Sequence, residues 1–112
     1  MSQLTTHILD TTKGKPAKDV PITLFKNEKE QWTELVKGIT NKDGRIPDLL
    51  KKDIVLEKGI YKIRFETKDY FDKDGIASFY PFVEIVFDIT TQEHYHIPLL
   101  LSPFGYSTYR GS

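Results

Sequence analysis

The sequence predicts an all-β domain, built as a sandwich of two β-sheets with one short helix. Short stretches alternate apolar and polar residues at period two, as strands with one buried face do. Turn residues, chiefly Gly, Pro, Asn and Asp, separate these stretches at fairly even intervals, which is typical of sandwiches and barrels. The chain has 112 residues, of which 38% are hydrophobic, so we expect one core and a single domain over residues 1–112.

Eight predicted strands account for most of the chain. The Asp43-Gly44 pair in NKDGR predicts a tight chain reversal after the third strand. Thr67 is expected to cap a helix of one or two turns that ends at Gly75. The predicted strands are residues 4–10, 20–24, 31–40, 53–57, 59–66, 82–89, 94–101 and 106–110.

Composition excludes several classes of protein. Sixteen basic residues balance sixteen acidic ones, which gives no reason to expect nucleic acid or a membrane surface as a partner. No apolar run approaches the roughly 20 residues of a membrane span, and the first residues lack the features of a signal peptide. The chain has no cysteine, which fits a reducing compartment. We therefore expect a cytoplasmic protein.

The three histidines could form one group. His94 and His96 are two residues apart on a predicted strand, so both point away from the apolar face formed by Tyr95 and Ile97. His7 likewise lies opposite the apolar face of the first strand. If these two strands are neighbours, all three imidazoles meet on the outer face of one sheet.

Three interpretations of such a group stay open. Three imidazoles could bind zinc with a fourth position left for water. They could equally be solvated surface side chains, or they could act as acids and bases near neutral pH. The spacing of the histidines does not choose among the three.

The chain has thirteen Lys and only three Arg. Arg45 follows the predicted turn, where loops often present functional groups, although a salt bridge beside the turn explains it nearly as well. Arg64 belongs to a solvated strand face. Arg110 could bind an anionic or urea-like ligand, or it could be solvated near the chain end. The sequence contains no cysteine nucleophile, GxSxG elbow, phosphate-binding glycine loop or HExxH motif.

Three segments together resemble the 5-hydroxyisourate hydrolase family, the transthyretin-related enzymes of urate breakdown. They are LTTHILD at residues 4–10, NKDGR at residues 41–45 and HYHIPLLLSPFGYSTYRGS at residues 94–112. The resemblance spans residues 4–112, and the closing YRGS is its most specific part. It implies a transthyretin-like sandwich, the immunoglobulin-like prealbumin fold, with two four-stranded sheets.

The resemblance also implies which residues form the site. The implied catalytic residues are His7, Arg45, His96, Tyr109 and Ser112. The implied substrate contacts are His7, Arg45, Tyr109, Arg110 and Gly111. For Arg110 and Ser112, a role in anchoring the tail stays an alternative to a role in catalysis. His94 is outside the family's catalytic set and is interpreted as a surface residue, and no metal or other cofactor is implied.

The implied reaction is the hydrolysis of 5-hydroxyisourate to 2-oxo-4-hydroxy-4-carboxy-5-ureidoimidazoline in purine degradation, with water activated by histidine. The family implies a homotetramer, a dimer of dimers, with sites at the subunit interfaces and an ordered tail. A transthyretin-like carrier of small ligands is the alternative function, although transthyretin lacks this set of His, Arg and terminal residues. A zinc hydrolase is a further alternative.

Overall fold

The computed structural model describes residues 2–112, so residue 1 of the predicted domain lies outside the described residues. Within this range the chain forms eight strands and one helix. In chain order these elements are β1 Leu4–Asp10, β2 Lys15–Pro16, β3 Pro21–Glu28, β4 Gln31–Ile39, β5 Gly59–Phe65, α1 Thr67–Lys73, β6 Val83–Ile89, β7 Tyr95–Ser102 and β8 Gly105–Thr108.

The strands form two four-stranded sheets, with the orders β2-β1-β7-β8 and β4-β3-β5-β6. β1 and β7 run parallel to each other, and the other neighbouring strands are antiparallel. Ile8 and Leu99 of the first sheet and Ile22 and Ile63 of the second are fully buried in one core. Burying each of these side chains contributes about 1.5–3 kcal/mol relative to exposure. The predicted two-sheet sandwich with one short helix is confirmed.

The strand predicted at residues 53–57 is wrong. Ile54 and Val55 are 44% and 58% exposed, and the segment belongs to neither sheet within residues 2–112. Leu56 is buried, and its N–H donates to the side-chain oxygen of Gln3 at 2.7 Å. Because a side chain satisfies this buried backbone donor, the segment does not need a partner strand.

One observed strand, β2, was not predicted and lies in a stretch that the sequence predicts as a loop. Lys15 and Pro16 pair with Asp10 and Leu9 of β1. A two-residue strand is too short to show a period-two pattern in the sequence, so it follows only from the way the loop folds back on β1.

The predicted cap of the helix is also wrong. Thr67 is the first residue of α1, Glu66 occupies the cap position, and no side chain caps the helix. The hydroxyl of Thr67 is buried and has no hydrogen-bond partner within residues 2–112. Among residues 2–112, no helix is long and apolar enough to cross a membrane.

Two strand ends differ from the prediction and affect the candidate site. β7 begins at Tyr95, so His94 lies just before the strand rather than in it. β8 ends at Thr108, so the last four residues continue beyond the sheet's regular ladder. They return to β7 through a single bridge between Gly111 and His96.

Candidate active site

The pairing of β1 with β7 brings the predicted site histidines onto one surface. In the parallel register Thr5 lies opposite His96, and His7 lies opposite Pro98. The neighbours of these residues along each strand point into the core, so Thr5, His7 and His96 share the outer face of the β2-β1-β7-β8 sheet. All three are half-buried. The condition under which the sequence joins His7 to His96, that the first and the penultimate strands are neighbours, is met.

A threonine hydroxyl connects two of the imidazoles. Thr5 Oγ1 lies 2.7 Å from His96 Nδ1 and 3.0 Å from His94 Nε2, within hydrogen-bond distance of both. The two rings stack with their centroids 6.4 Å apart and an angle of 18° between their planes. His94 is therefore half-buried in the group, which differs from the expectation that it is a surface residue.

The Arg45 loop is fixed against β1 by a glycine. The N–H of Ile8 donates to the carbonyl of Gly44 at 3.0 Å. A Cβ at Gly44 would lie 2.4 Å from the Ile8 carbonyl oxygen, and the φ of +72° also favours glycine. Within the loop, the Asn41 side-chain oxygen accepts hydrogen bonds from the N–H groups of Asp43 and Arg45 at 2.9 and 3.2 Å. These contacts hold Arg45 next to the strand that carries His7.

The side chain of Arg45 is exposed, and no ion pair to it is present within residues 2–112. The alternative of a salt bridge beside the turn is therefore not supported. Arg64, by contrast, pairs with Glu66 and Glu84 on the other sheet, in agreement with a structural role.

The charge of Arg45 acts on both histidines. Burial, followed by the positive charge of Arg45, lowers the pKa of His7, and Asp43 acts in the opposite direction. Burial, again followed by Arg45, lowers the pKa of His96, and His94 and His7 lower it further. Because both pKa values lie below the ordinary value of 6.5, both imidazoles are mainly neutral at neutral pH and can accept a proton.

The C-terminal tail lies against His96. The N–H of Gly111 donates to the His96 carbonyl at 2.8 Å. Arg110 Nη2 donates to Glu93 Oε1 at 2.8 Å and to the His94 carbonyl at 3.3 Å, and its guanidinium lies 4.3 Å above the ring centre of Tyr95. The guanidinium is thus engaged by this chain's own groups, which favours the anchoring role of Arg110 that the sequence left open.

Two of the expected site residues are not brought to the histidines within one chain. Tyr109 is 58% exposed and lines a cavity of about 320 Å³ beside Tyr95 and Ile97, on the core side of β7. Ser112 is exposed, and its side chain makes no hydrogen bond within residues 2–112. The structure gathers His7, Arg45, His96 and Gly111, and it adds Thr5.

Thr5 was not predicted as a site residue, although alternation along a strand puts residues 5 and 7 on the same face. The hydroxyl becomes notable only when Thr5 is known to lie opposite His96, and that register belongs to the tertiary structure. Across residues 2–112, no three His, Cys, Asp or Glu side chains are grouped closely enough to hold a metal ion. The zinc interpretation therefore has no complete set of ligands in this part of the chain.

Comparisons with known proteins agree with this geometry. The model of the HIUase/Transthyretin family matches residues 4–111. The 5-hydroxyisourate hydrolase of Mus musculus is 48% identical over 114 residues, which cover 99% of this chain and 96% of the mouse protein.

Two solved structures share the fold. The structure of Klebsiella pneumoniae 5-hydroxyisourate hydrolase superposes with a TM-score of 0.85 at 38% identity, covering 100% of this chain and 94% of that one. Sea bream transthyretin, solved in complex with thyroxine, superposes with a TM-score of 0.91 at 34% identity, covering 97% and 94% of the two chains. The transthyretin-like fold and the family resemblance predicted from the sequence are both confirmed. With its sheet order, its histidine-bearing outer face and these relatives, the chain belongs to the HIUase/transthyretin family.

Proposed function

We propose that this chain is a hydrolase that opens the ring of 5-hydroxyisourate, giving 2-oxo-4-hydroxy-4-carboxy-5-ureidoimidazoline in urate degradation. The relatives from mouse and Klebsiella are named for this activity. The observation that carries the proposal is the meeting of His7, His96 and Arg45 at the outer face of one sheet, where the charge of Arg45 acts on both imidazoles.

The proposed mechanism is general-base hydrolysis of a cyclic amide. His7 and His96 hold a water molecule, and a neutral imidazole takes one proton as the water oxygen bonds to the amide carbonyl carbon. Arg45 stabilises the negative charge that grows on the carbonyl oxygen, as a donor in an oxyanion hole does. The carbon–nitrogen bond then breaks, the leaving nitrogen takes the proton back from the imidazolium, and the product is a carboxylic acid.

In this proposal the tail closes the site. Tyr109 covers the pocket and donates a hydrogen bond to the substrate, while Gly111 supports His96 through its backbone. The ion pair of Arg110 with Glu93 holds this segment in place, and Ser112 completes the tail at a neighbouring subunit. Exposure of Tyr109 in the single chain agrees with a contact made across an interface.

We also propose that the protein forms a homotetramer, a dimer of dimers with sites at the subunit interfaces. The outer face that carries His7 and His96 is open to solvent in one chain, and a second subunit would exclude water and strengthen the electrostatic interactions. A cytoplasmic location is proposed from the absence of cysteine in the sequence. The mass of the assembly in solution, measured by light scattering, tests the tetramer.

The carrier function is tested by the same experiment as the hydrolase function. Freshly generated 5-hydroxyisourate is followed by its ultraviolet spectrum with and without the protein, before and after exhaustive chelation. A hydrolase accelerates the decay, and we expect the acceleration to survive chelation. A carrier would bind an aromatic ligand tightly and leave the spontaneous decay unchanged. Activity that is lost on chelation and restored by zinc would support the metal alternative.

A further inference from the structure

The Thr5 hydroxyl lies within hydrogen-bond distance of two imidazoles but can donate a hydrogen bond to only one of them. Thr5 Oγ1 lies 2.7 Å from His96 Nδ1 and 3.0 Å from His94 Nε2. A hydroxyl has one proton to donate and lone pairs with which to accept, so it cannot donate to both rings, and when it donates to one ring it can accept from the other. The His94–Thr5–His96 bridge, defined by these two contacts, therefore has two possible directions.

The direction decides what His96 can do. If Thr5 donates to His96 Nδ1, the neutral His96 ring carries its proton on Nε2, and that nitrogen can only donate. If Thr5 donates to His94 Nε2, it accepts from Nδ1–H of His96, and Nε2 of His96 is left with a free lone pair. Within residues 2–112 no hydrogen bond engages Nε2 of His96, so this nitrogen is the one available to water or substrate.

Resting on the proposed function, we propose that Thr5 and His94 are positioning residues that hold His96 with its proton on Nδ1, so that Nε2 is the general base. The base accepts the water proton at Nε2 and becomes an imidazolium. Its Nδ1–H bond to Thr5 Oγ1 is then charge-assisted and stronger than in the resting state. The Thr5 hydroxyl donates a hydrogen bond to Nε2 of His94, and this bond keeps a lone pair of the Thr5 oxygen directed at Nδ1–H of His96.

Other contacts support this arrangement of His96. Thr5 and His96 are opposite each other in the β1–β7 ladder, and a β-branched Thr has few side-chain rotamers, so the hydroxyl position is restricted. The positive charge of Arg45 disfavours a resting imidazolium at His96. Gly111 lies against the ring on the side of Cδ2, which limits its rotation. These contacts together fix the ring that Thr5 orients.

The proton position can be read without any substrate. Histidine ring nitrogens labelled with ¹⁵N distinguish a protonated from an unprotonated nitrogen, at a pH where His96 is neutral. We expect His96 in the wild-type protein to carry its proton on Nδ1. We expect Thr5→Val, which removes the hydroxyl but keeps the shape, to shift His96 towards the form protonated on Nε2, which neutral histidine favours in water. Thr5→Ser should restore the wild-type pattern.

Turnover of 5-hydroxyisourate is the second measurement. We expect Thr5→Val to lower kcat by about 10- to 100-fold, a part of what general-base catalysis contributes. KM should change by less than about twofold because, in this proposal, Thr5 acts through His96 and not on the substrate directly. Thr5→Ser should recover kcat to within about threefold of the wild type, and His94→Phe should lower it by about 3- to 10-fold. Thr33→Val is the matched control, because Thr33 is an exposed residue of β4 on the other sheet.

Each result has a definite consequence. A wild-type His96 that carries its proton on Nε2 would overturn the inference. A Thr5→Val variant that loses activity while His96 keeps the wild-type proton position would also overturn it, because the loss would then come from a change in structure and not in the protonation of His96. Wild-type kcat in Thr5→Val would overturn it as well. The expected nitrogen pattern without any turnover by the wild type would refute the proposed function while supporting the His94–Thr5–His96 bridge.

Discussion

Gly111 is packed so closely against His96 that no side chain fits between them. A Cβ built on Gly111 would lie 2.6 Å from Cδ2 of the His96 ring and 3.4 Å from Cγ of Pro98. The Gly111 N–H donates to the His96 carbonyl, which fixes the two backbones together. Gly111 thus packs against the imidazole that we propose as the base and limits its movement.

Gly111→Ala should therefore impair catalysis by displacing the His96 ring or the tail. We expect kcat to fall by about 10- to 100-fold, because small misplacements of a catalytic group are costly. Gly105→Ala is the matched control, since its Cβ would meet only Ser102 Oγ at an ordinary 3.7 Å. Steady-state kinetics of both variants measure the effect, and equal kcat values would show that the contact with His96 is unimportant.

Arg45→Met should lower kcat by about 10²- to 10³-fold if Arg45 stabilises the oxyanion. It should also change the pH profile. Arg45 lowers the pKa values of His7 and His96, so removing its charge raises both. The acid limb of kcat/KM, expected below pH 6.5 in the wild type, should therefore move to higher pH in Arg45→Met. Arg45→Lys keeps the charge and should keep the limb in place. An unmoved limb in Arg45→Met would contradict this electrostatic coupling.

Deleting residues 109–112 should remove most turnover and leave a folded protein. The deletion takes away Tyr109 and the Gly111 contact with His96, but it removes no residue of β1–β8 or of the buried core. Circular dichroism checks the fold, and the ultraviolet assay checks turnover. Deleting Ser112 alone separates its role from that of the rest of the tail. Full activity in the four-residue deletion would show that the tail is not part of the active site.

Tyr95 should ionise before an ordinary tyrosine. Hydrogen bonds from the side chain of Thr91 and the backbone of Thr90 to its phenol oxygen lower its pKa from 10.0 to about 8. The folded state therefore loses this proton at a lower pH than the unfolded state. The resulting stabilisation is complete above pH 10 and is lost as the pH falls through about 8. Ultraviolet titration should show one early tyrosinate that is missing in Tyr95→Phe, and identical titrations would contradict the shift.

Most of the fold was predictable because burial imposes a period of two on every strand with one inner face. β1 shows this directly, because Leu4, Thr6 and Ile8 are buried while His7 lies on the opposite, half-buried face. The pattern failed at Leu56, whose neighbours are exposed and whose N–H is satisfied by Gln3. The apolar composition of residues 53–57 is typical of a strand, but the backbone N–H of Leu56 binds a side chain instead of a neighbouring strand.

The candidate site was predictable only in part. Strand alternation placed His7 and His96 on outer faces, and the parallel pairing of β1 and β7 then joined them. The role of Thr5 depends on the register of that pairing, and the approach of Arg45 depends on the close contact between Gly44 and β1. Such contacts form between segments that are distant in sequence, so no local sequence pattern predicts them.

Hydrolysis by His7 and His96 is tested by comparing the wild type with His7→Asn/His96→Asn in the decay of freshly generated 5-hydroxyisourate. The substitutions keep polar side chains on a half-buried face but remove both proposed bases. We expect the wild type to accelerate the ultraviolet change strongly and the double variant, folded by circular dichroism, to leave the spontaneous decay almost unchanged. A wild type that fails to accelerate the decay would refute the hydrolase function, and a double variant with the wild-type rate would refute general-base catalysis by His7 and His96.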